Sequence, residues 1–213
     1  MSPHAHSTQA PDQAEAYQIE MERRRAELRQ LLIAILPSGG LFIWELGAGH
    51  GHFLTAYARA HPEKLCVGID IGLKRVERAL RKRDRAKLPN LHFVHAEARL
   101  FLESMPPNSV FSELFILFPD PWPKRRHRKH RVVQPAFLRS AAARATPNCA
   151  LFFRTDHQPY YEEVSRIIEA HPDWDLTEEK WPFEFSTVFQ ARATVHYSVI
   201  GRRATRGPQS VSP

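Results

Sequence analysis

Short apolar runs alternate along this chain with longer stretches whose apolar positions recur at helical spacing. Runs suited to strands fall at residues 41–46, 65–69, 91–94, 110–118 and 150–153. Between them, residues 52–60, 73–86, 98–104 and 135–145 read as helices, and a further helix is expected at 159–170. Strands and helices alternating at this pace imply parallel strands joined by crossover helices. The strand runs are apolar throughout, as expected where both faces of a sheet are covered. Ahead of them, residues 14–36 read as one helix: Ile19, Leu28, Leu31, Leu32 and Ile35 give it a partly apolar face, and Pro37-Ser38-Gly39-Gly40 ends it. Two late extended stretches, 183–189 and 194–200, predict an antiparallel hairpin. The expected fold is α/β: a doubly wound, mostly parallel seven-stranded sheet with an antiparallel C-terminal hairpin and an N-terminal helix.

No repeat or interior low-complexity linker divides the chain, so residues 14–201 are expected to form one domain. Residues 1–13, rich in His, Ser and Pro, are expected to be a disordered tail, and 202–213 a second tail. Charge changes the picture more. Thirty Lys and Arg against 23 Asp and Glu give +7 and a pI near 9.7. That surplus favours a polyanionic partner, since neutralising phosphates releases counterions. The two cysteines, Cys66 and Cys149, lie in apolar runs without metal-ligand spacing, so no metal and a reducing compartment are expected. The longest uncharged apolar run in the first helix, residues 31–36, is far too short to cross a bilayer. The N-terminus lacks a basic-then-apolar export signal, which makes the cytoplasm the expected location.

The first strand run enters a glycine turn, Glu45-Leu46-Gly47-Ala48-Gly49-His50-Gly51, ahead of a helix. Gly47, Gly49 and Gly51 allow a sharp bend and close approach of a ligand, and the helix N-terminus favours a negative group. Asp70 follows the second strand, where an acid can accept from both hydroxyls of a ribose. His52 occupies the position of the third glycine in a dinucleotide fingerprint, so a pyrophosphate is poorly cradled and NAD is a distant reading. Glu45, just before the turn, can hold an ammonium. An adenosine bearing an amino acid, S-adenosylmethionine, fits this pattern better. Glu97, after the third strand, stands where an acid meets an adenine edge, or where it caps a helix. Asp120 ends the fourth strand, and in open parallel sheets ligands bind beyond such carboxyl ends.

Asp120 lies in Phe118-Pro119-Asp120-Pro121-Trp122-Pro123, and the two prolines stiffen its turn. Eight consecutive basic side chains follow: Lys124, Arg125, Arg126, His127, Arg128, Lys129, His130 and Arg131. A stiff acid beside an aromatic ring and a cationic tract points to chemistry on a base of a nucleic acid. A core strand followed by a Pro-rich turn and a solvated basic loop would give the same pattern.

The glycine turn, the segment 118–131 with Val132-Val133-Gln134-Pro135 behind it, and Thr155-Asp156 resemble the bacterial tRNA (guanine-N7-)-methyltransferase family over about residues 41–200. The F-P-D-P-W-x-K-x-R-H run followed by R-x-V-x-P is the specific part; the glycine turn alone says class I, Rossmann-like methyltransferase. The resemblance implies transfer of a methyl group from S-adenosylmethionine to N7 of a guanine in the variable loop of tRNA, with no obligate protein partner evident. It implies cofactor contacts at Glu45, Gly47, Gly49, Gly51, Asp70, Glu97 and Asp120, with Asp120 also catalytic. Lys124, Asp156, Thr187 and Gln190 would meet the substrate, and Arg126, His127, Arg128, Lys129, His130 and Arg131 the RNA. The family's T-x-F-E motif reads Thr187-Val188-Phe189-Gln190 here, so an acceptor oxygen is kept at Gln190 while the charge is lost. Two other readings stay open. Asp-Pro-Trp is close to the D-P-P-Y shape of exocyclic-amine methyltransferases, and an RNA-binding relative without turnover would keep the same fold.

Overall fold

The computed structural model describes residues 13–36, 39–185 and 195–205. Helix α1 (Gln13–Ile35) precedes the alternation β1 (Leu41–Leu46), α2 (His52–Ala60), β2 (Cys66–Asp70), α3 (Leu73–Ala86), β3 (Leu91–His95), α4 (Ala98–Ser104) and β4 (Val110–Leu117). A 3-10 turn (Arg125–His130) leads to α5 (Pro135–Ala142), β5 (Ala145–Thr155), α6 (Gln158–Glu169), β6 (Trp174–Thr177) and β7 (Tyr197–Arg203). The strands form one seven-stranded sheet in the order β3-β2-β1-β4-β5-β7-β6. Strands β1 to β5 pair in parallel, and β7 runs antiparallel between β5 and β6.

Both faces of the sheet are covered, which is why its strands read as unbroken apolar runs. On one face, α1, α4, α5 and α6 bury Leu32, Phe101, Leu138 and Val164 against Trp44, Leu114 and Phe153. Trp44 stacks on Phe101 with centroids 5.1 Å apart. On the other face, α2 and α3 bury Phe53, Leu54, Val76 and Ala79 against Ile43, Cys66 and Phe115.

The expected hairpin is only half right. The partner of β7 is β6, Trp174–Thr177, and the described part of the 183–189 stretch is not a strand. Four residues are too few for a period to register, and Trp174 is held by packing and by Nε1 donating to the Leu138 carbonyl (3.0 Å). The aromatics at 181–185 do a helix's work instead. Where α2 and α3 leave the sheet uncovered, Trp181 packs on Phe152 (5.5 Å) and Phe183 edge-on to Tyr57 (5.3 Å). The helix expected at 135–145 stops at Ala142, because β5 already begins at Ala145. Strand β7 continues to Arg203, two residues past the expected domain edge.

Candidate active site

The order reverses between β1 and β4, and the carboxyl ends of β1, β2 and β4 open on one cavity of about 710 Å³. Gly47, Asp70, Glu97 and Asp120 line it together with Arg75, Phe118, Trp122, Phe137 and Ser140. Residues from four separate stretches thus converge at a topological switch point, where open α/β sheets bind ligands.

The glycine turn between β1 and α2 runs through left-handed backbone, with φ of 78° at Gly47, 55° at Gly49 and 69° at Gly51. Asp70 holds this turn from below. Its Oδ2 accepts from the Gly49 N–H (2.9 Å) and its Oδ1 from the Gly72 N–H (2.7 Å), with Arg75 Nε 3.1 Å away. Two carboxylate oxygens offer about four acceptor sites, so the group that shapes the loop retains capacity towards the cavity. Gly49 and Gly51 lie outside the cavity lining: Gly51 is the corner itself, pressed against Phe93 and Ala79.

Glu45 departs from the expectation of an open anchor for an ammonium. Its side chain is buried beneath the turn and does not line the cavity. Burial pushes its carboxyl up to about 8, opposed by the Leu54 N–H and reinforced by the Asp70 charge. One of its oxygens, Oε2, has no hydrogen-bond partner among the described residues. Glu97 combines two readings. It lines the cavity and also caps α4, accepting from the N–H groups of Arg99 (3.0 Å) and Leu100 (3.1 Å).

The turn after β4 is strained as well as stiff. Phe118 and Trp122 have φ of 49° and 42°, in a region that bulky side chains avoid. Two clamps hold it. The Phe118 N–H donates to the Arg154 carbonyl (2.7 Å), and Arg131 Nε donates to the Pro121 carbonyl (2.8 Å). Between them stands Asp120, exposed at the cavity. Its carboxylate accepts no hydrogen bond and pairs with no cation among the described residues.

Arg131 corrects a second expectation. It is the one member of the basic tract that turns inward: its side chain is fully buried, paired with Glu163 (2.7 Å) and lying 4.4 Å over the Tyr160 ring. It braces the turn and presents nothing to the surface. Arg126, Arg128, Lys129 and His130 are exposed, with His127 half-buried. Trp122 packs against the histidine rings of the tract, 5.2 Å from His130 and 5.9 Å from His127, with over a third of its surface free. Lys124 and Asp156 are exposed beyond the cavity lining, while Thr187 and Gln190 lie outside the described residues. Among the described residues no cluster of three His, Cys, Asp or Glu side chains is arranged to hold a metal.

Sequence reasoning missed two side chains, Arg75 and Arg154, and gave Arg131 the wrong role. Arg75 was hidden in a basic helix, and Arg131 in a basic tract. Arg154 follows an apolar strand run and carried no signal of its own, yet its guanidinium pairs bidentately with Glu184 (2.9 Å to each oxygen) and lies 3.9 Å over Trp181.

This strand order, with an antiparallel penultimate strand and a glycine turn after β1, defines the class I, Rossmann-like methyltransferase fold. Solved structures agree at the level of fold: the 16S rRNA methyltransferase KamB (22% identity, TM-score 0.54, 92% of this chain and 95% of that one) and TrmN from Thermus thermophilus (17%, 0.57, 84% and 48%). A family model described as "Putative methyltransferase" matches residues 40–204, and the chain belongs to that family. Curated relatives named tRNA (guanine-N(7)-)-methyltransferase include those of Streptomyces coelicolor (34% identity, 73% of this chain, 56% of the relative) and Chromohalobacter salexigens (35%, 71%, 62%). The chain therefore matches less than two thirds of the length of these relatives.

Proposed function

We propose that this protein transfers a methyl group from S-adenosylmethionine to N7 of a guanine in tRNA, in the cytoplasm. The observation that carries the reading is Asp120, an uncommitted carboxylate held at the switch-point cavity in a strained turn that two clamps brace. The names of the curated relatives support the choice of substrate.

The residues fit the methyl donor. The cavity volume of about 710 Å³ is typical of a small-molecule site, most of which run from roughly 300 to 1,000 Å³. Asp70 retains acceptor capacity and would take the ribose, and Glu97 would meet the adenine edge, while Glu45 supports the turn from beneath. When bound, the donor supplies an electrophilic methyl group on a positively charged sulfur. Guanine N7 carries a lone pair and no proton, so the chain need not provide a general base. Asp120 orients the reacting partners and stabilises the positive charge that passes to the guanine ring, so catalysis rests on positioning and electrostatics. Asp156 and Lys124 hold the base from outside the cavity, with Thr187 and Gln190 as further substrate contacts. The exposed cations of 124–130 grip phosphates.

The test is methyl incorporation into unmodified tRNA followed by nucleoside analysis. N7-methylguanosine is expected, and a methyl on an exocyclic amine, or none, rejects the reading. Asp120→Asn is expected to lower turnover at saturating donor and tRNA by on the order of a hundred-fold. Near-normal turnover would remove Asp120 from its role.

A further inference from the structure

The basic tract after β4 is not the chain's only concentration of positive charge. Helix α3 with its C-terminal Lys87 carries eight basic side chains, Lys74, Arg75, Arg78, Arg81, Lys82, Arg83, Arg85 and Lys87, against two acidic ones, Glu77 and Asp84. That excess nearly equals the +7 of the entire chain. Four of the eight, Lys74, Arg78, Arg81 and Arg85, follow one another at intervals of four, three and four residues. They therefore share one face, and all four are exposed.

None of the four forms an ion pair among the described residues; Arg78 makes a single hydrogen bond, to His50 (3.4 Å). Elsewhere the exposed helices mix their charges: Arg23 and Arg24 pair with Glu20, and Arg99 with Glu103. Like charges at these spacings destabilise a helix by a few tenths of a kcal/mol per pair, and Glu77 and Asp84, the helix's two acids, offset this cost only in part. It spans about 16 Å along the helix axis, enough to follow several backbone phosphates.

Its position ties it to the cavity. Helix α3 starts directly after Asp70, and Arg75 in its first turn lines the cavity mouth. The strand ends from which α3 and the 124–131 tract spring, those of β2 and β4, are separated by β1 alone, about 10 Å at ordinary strand spacing. Two cationic surfaces thus leave opposite sides of one cavity.

We propose that the Lys74–Arg78–Arg81–Arg85 face of α3 is a second polyanion-binding surface, which takes the phosphate backbone of the tRNA beyond the nucleotide presented to the cavity. The proposal rests on the tRNA reading above and adds to it where the body of the molecule lies. A substrate gripped on both sides of the pocket is held against rotation about its target nucleotide, which one basic tract alone does not provide. The stripe reads no sequence, since phosphate contacts position rather than specify.

The experiment compares the full chain with a variant carrying Lys74→Gln, Arg78→Gln, Arg81→Gln and Arg85→Gln; glutamine keeps helix propensity. Affinity for full-length tRNA and for a short RNA hairpin bearing only the variable loop is measured across a salt series, alongside S-adenosylmethionine binding. The variant is expected to bind tRNA on the order of ten- to a hundred-fold more weakly at moderate salt, with a log–log salt slope shallower by about three. Hairpin and donor binding should be unchanged. The single change Arg81→Gln, with a slope shallower by about one, serves if the fourfold variant does not fold. Wild-type tRNA affinity and slope in the folded variants overturn the proposal, and so does an equal loss on the hairpin. A wild-type protein that binds tRNA through this stripe yet makes no N7-methylguanosine would overturn the proposed reaction and leave the surface standing.

Discussion

Arg131 shows how one side chain can be misread from its neighbours. In the sequence it closes a run of eight basic residues; in the structure it is a bolt, joining the Pro121 carbonyl to Glu163 across the face of Tyr160. Removing one partner of a buried ion pair leaves the other uncompensated, so Arg131→Met should cost on the order of 3 kcal/mol, read as a lower urea midpoint. Turnover should fall with it, because the Asp120 turn loses a clamp, while the salt slope of tRNA binding stays as in wild type. A shallower slope would return Arg131 to the RNA-facing surface. Glu45 offers a pH test at the same scale. Its folded pKa of about 8 lies above the ordinary 4.5, so between those values the folded state holds a proton that the unfolded chain has released. Stability from this group therefore declines as pH rises through that window and is level above about 8. Melting temperatures at pH 5.5 and 8.5 should show a drop that Glu45→Gln flattens.

At the scale of elements, the corner between β1 and α2 is fixed by close packing against α3 and β3. A methyl group on Gly51 would stand 2.5 Å from the Phe93 ring and 2.9 Å from Ala79 Cβ, at a φ of 69°. Gly51→Ala is expected to lose about 2–3 kcal/mol from overpacking and backbone strain together, seen as a melting shift of several degrees. This corner was legible in the sequence, because glycine spacing after an apolar run reports backbone geometry directly. The strands β1 to β4 were legible for a similar reason: burial on both faces writes itself as continuous apolar residues. The segment 181–185 was not. Its aromatics carry the composition of a strand, yet they cover a sheet face as a loop, and only the absence of a helix there explains them. Strand β6 escaped notice because a short edge strand needs no pattern of its own once β7 fixes it.

Across the whole molecule, the candidate site was readable where an acid sits at a strand's carboxyl end, since topology alone brings Asp70, Glu97 and Asp120 to one cavity. What stayed hidden was how charged side chains are used. Arg75, Arg131 and Arg154 are indistinguishable in sequence from solvated arginines, and each is committed to a specific partner in the fold. Charge counts foretold a polyanionic partner but not the split of the surplus between a turn and a helix.

The insertion of β7 between β5 and β6 has a bearing on synthesis. A nascent chain emerges with β5 ready against β4, yet the other margin of β5, with its backbone N–H and C=O groups, stays bare until residues 197–203 leave the ribosome. For that interval β6 has no neighbour to join, and the open margin is the part of the molecule most prone to capture by a strand of another chain.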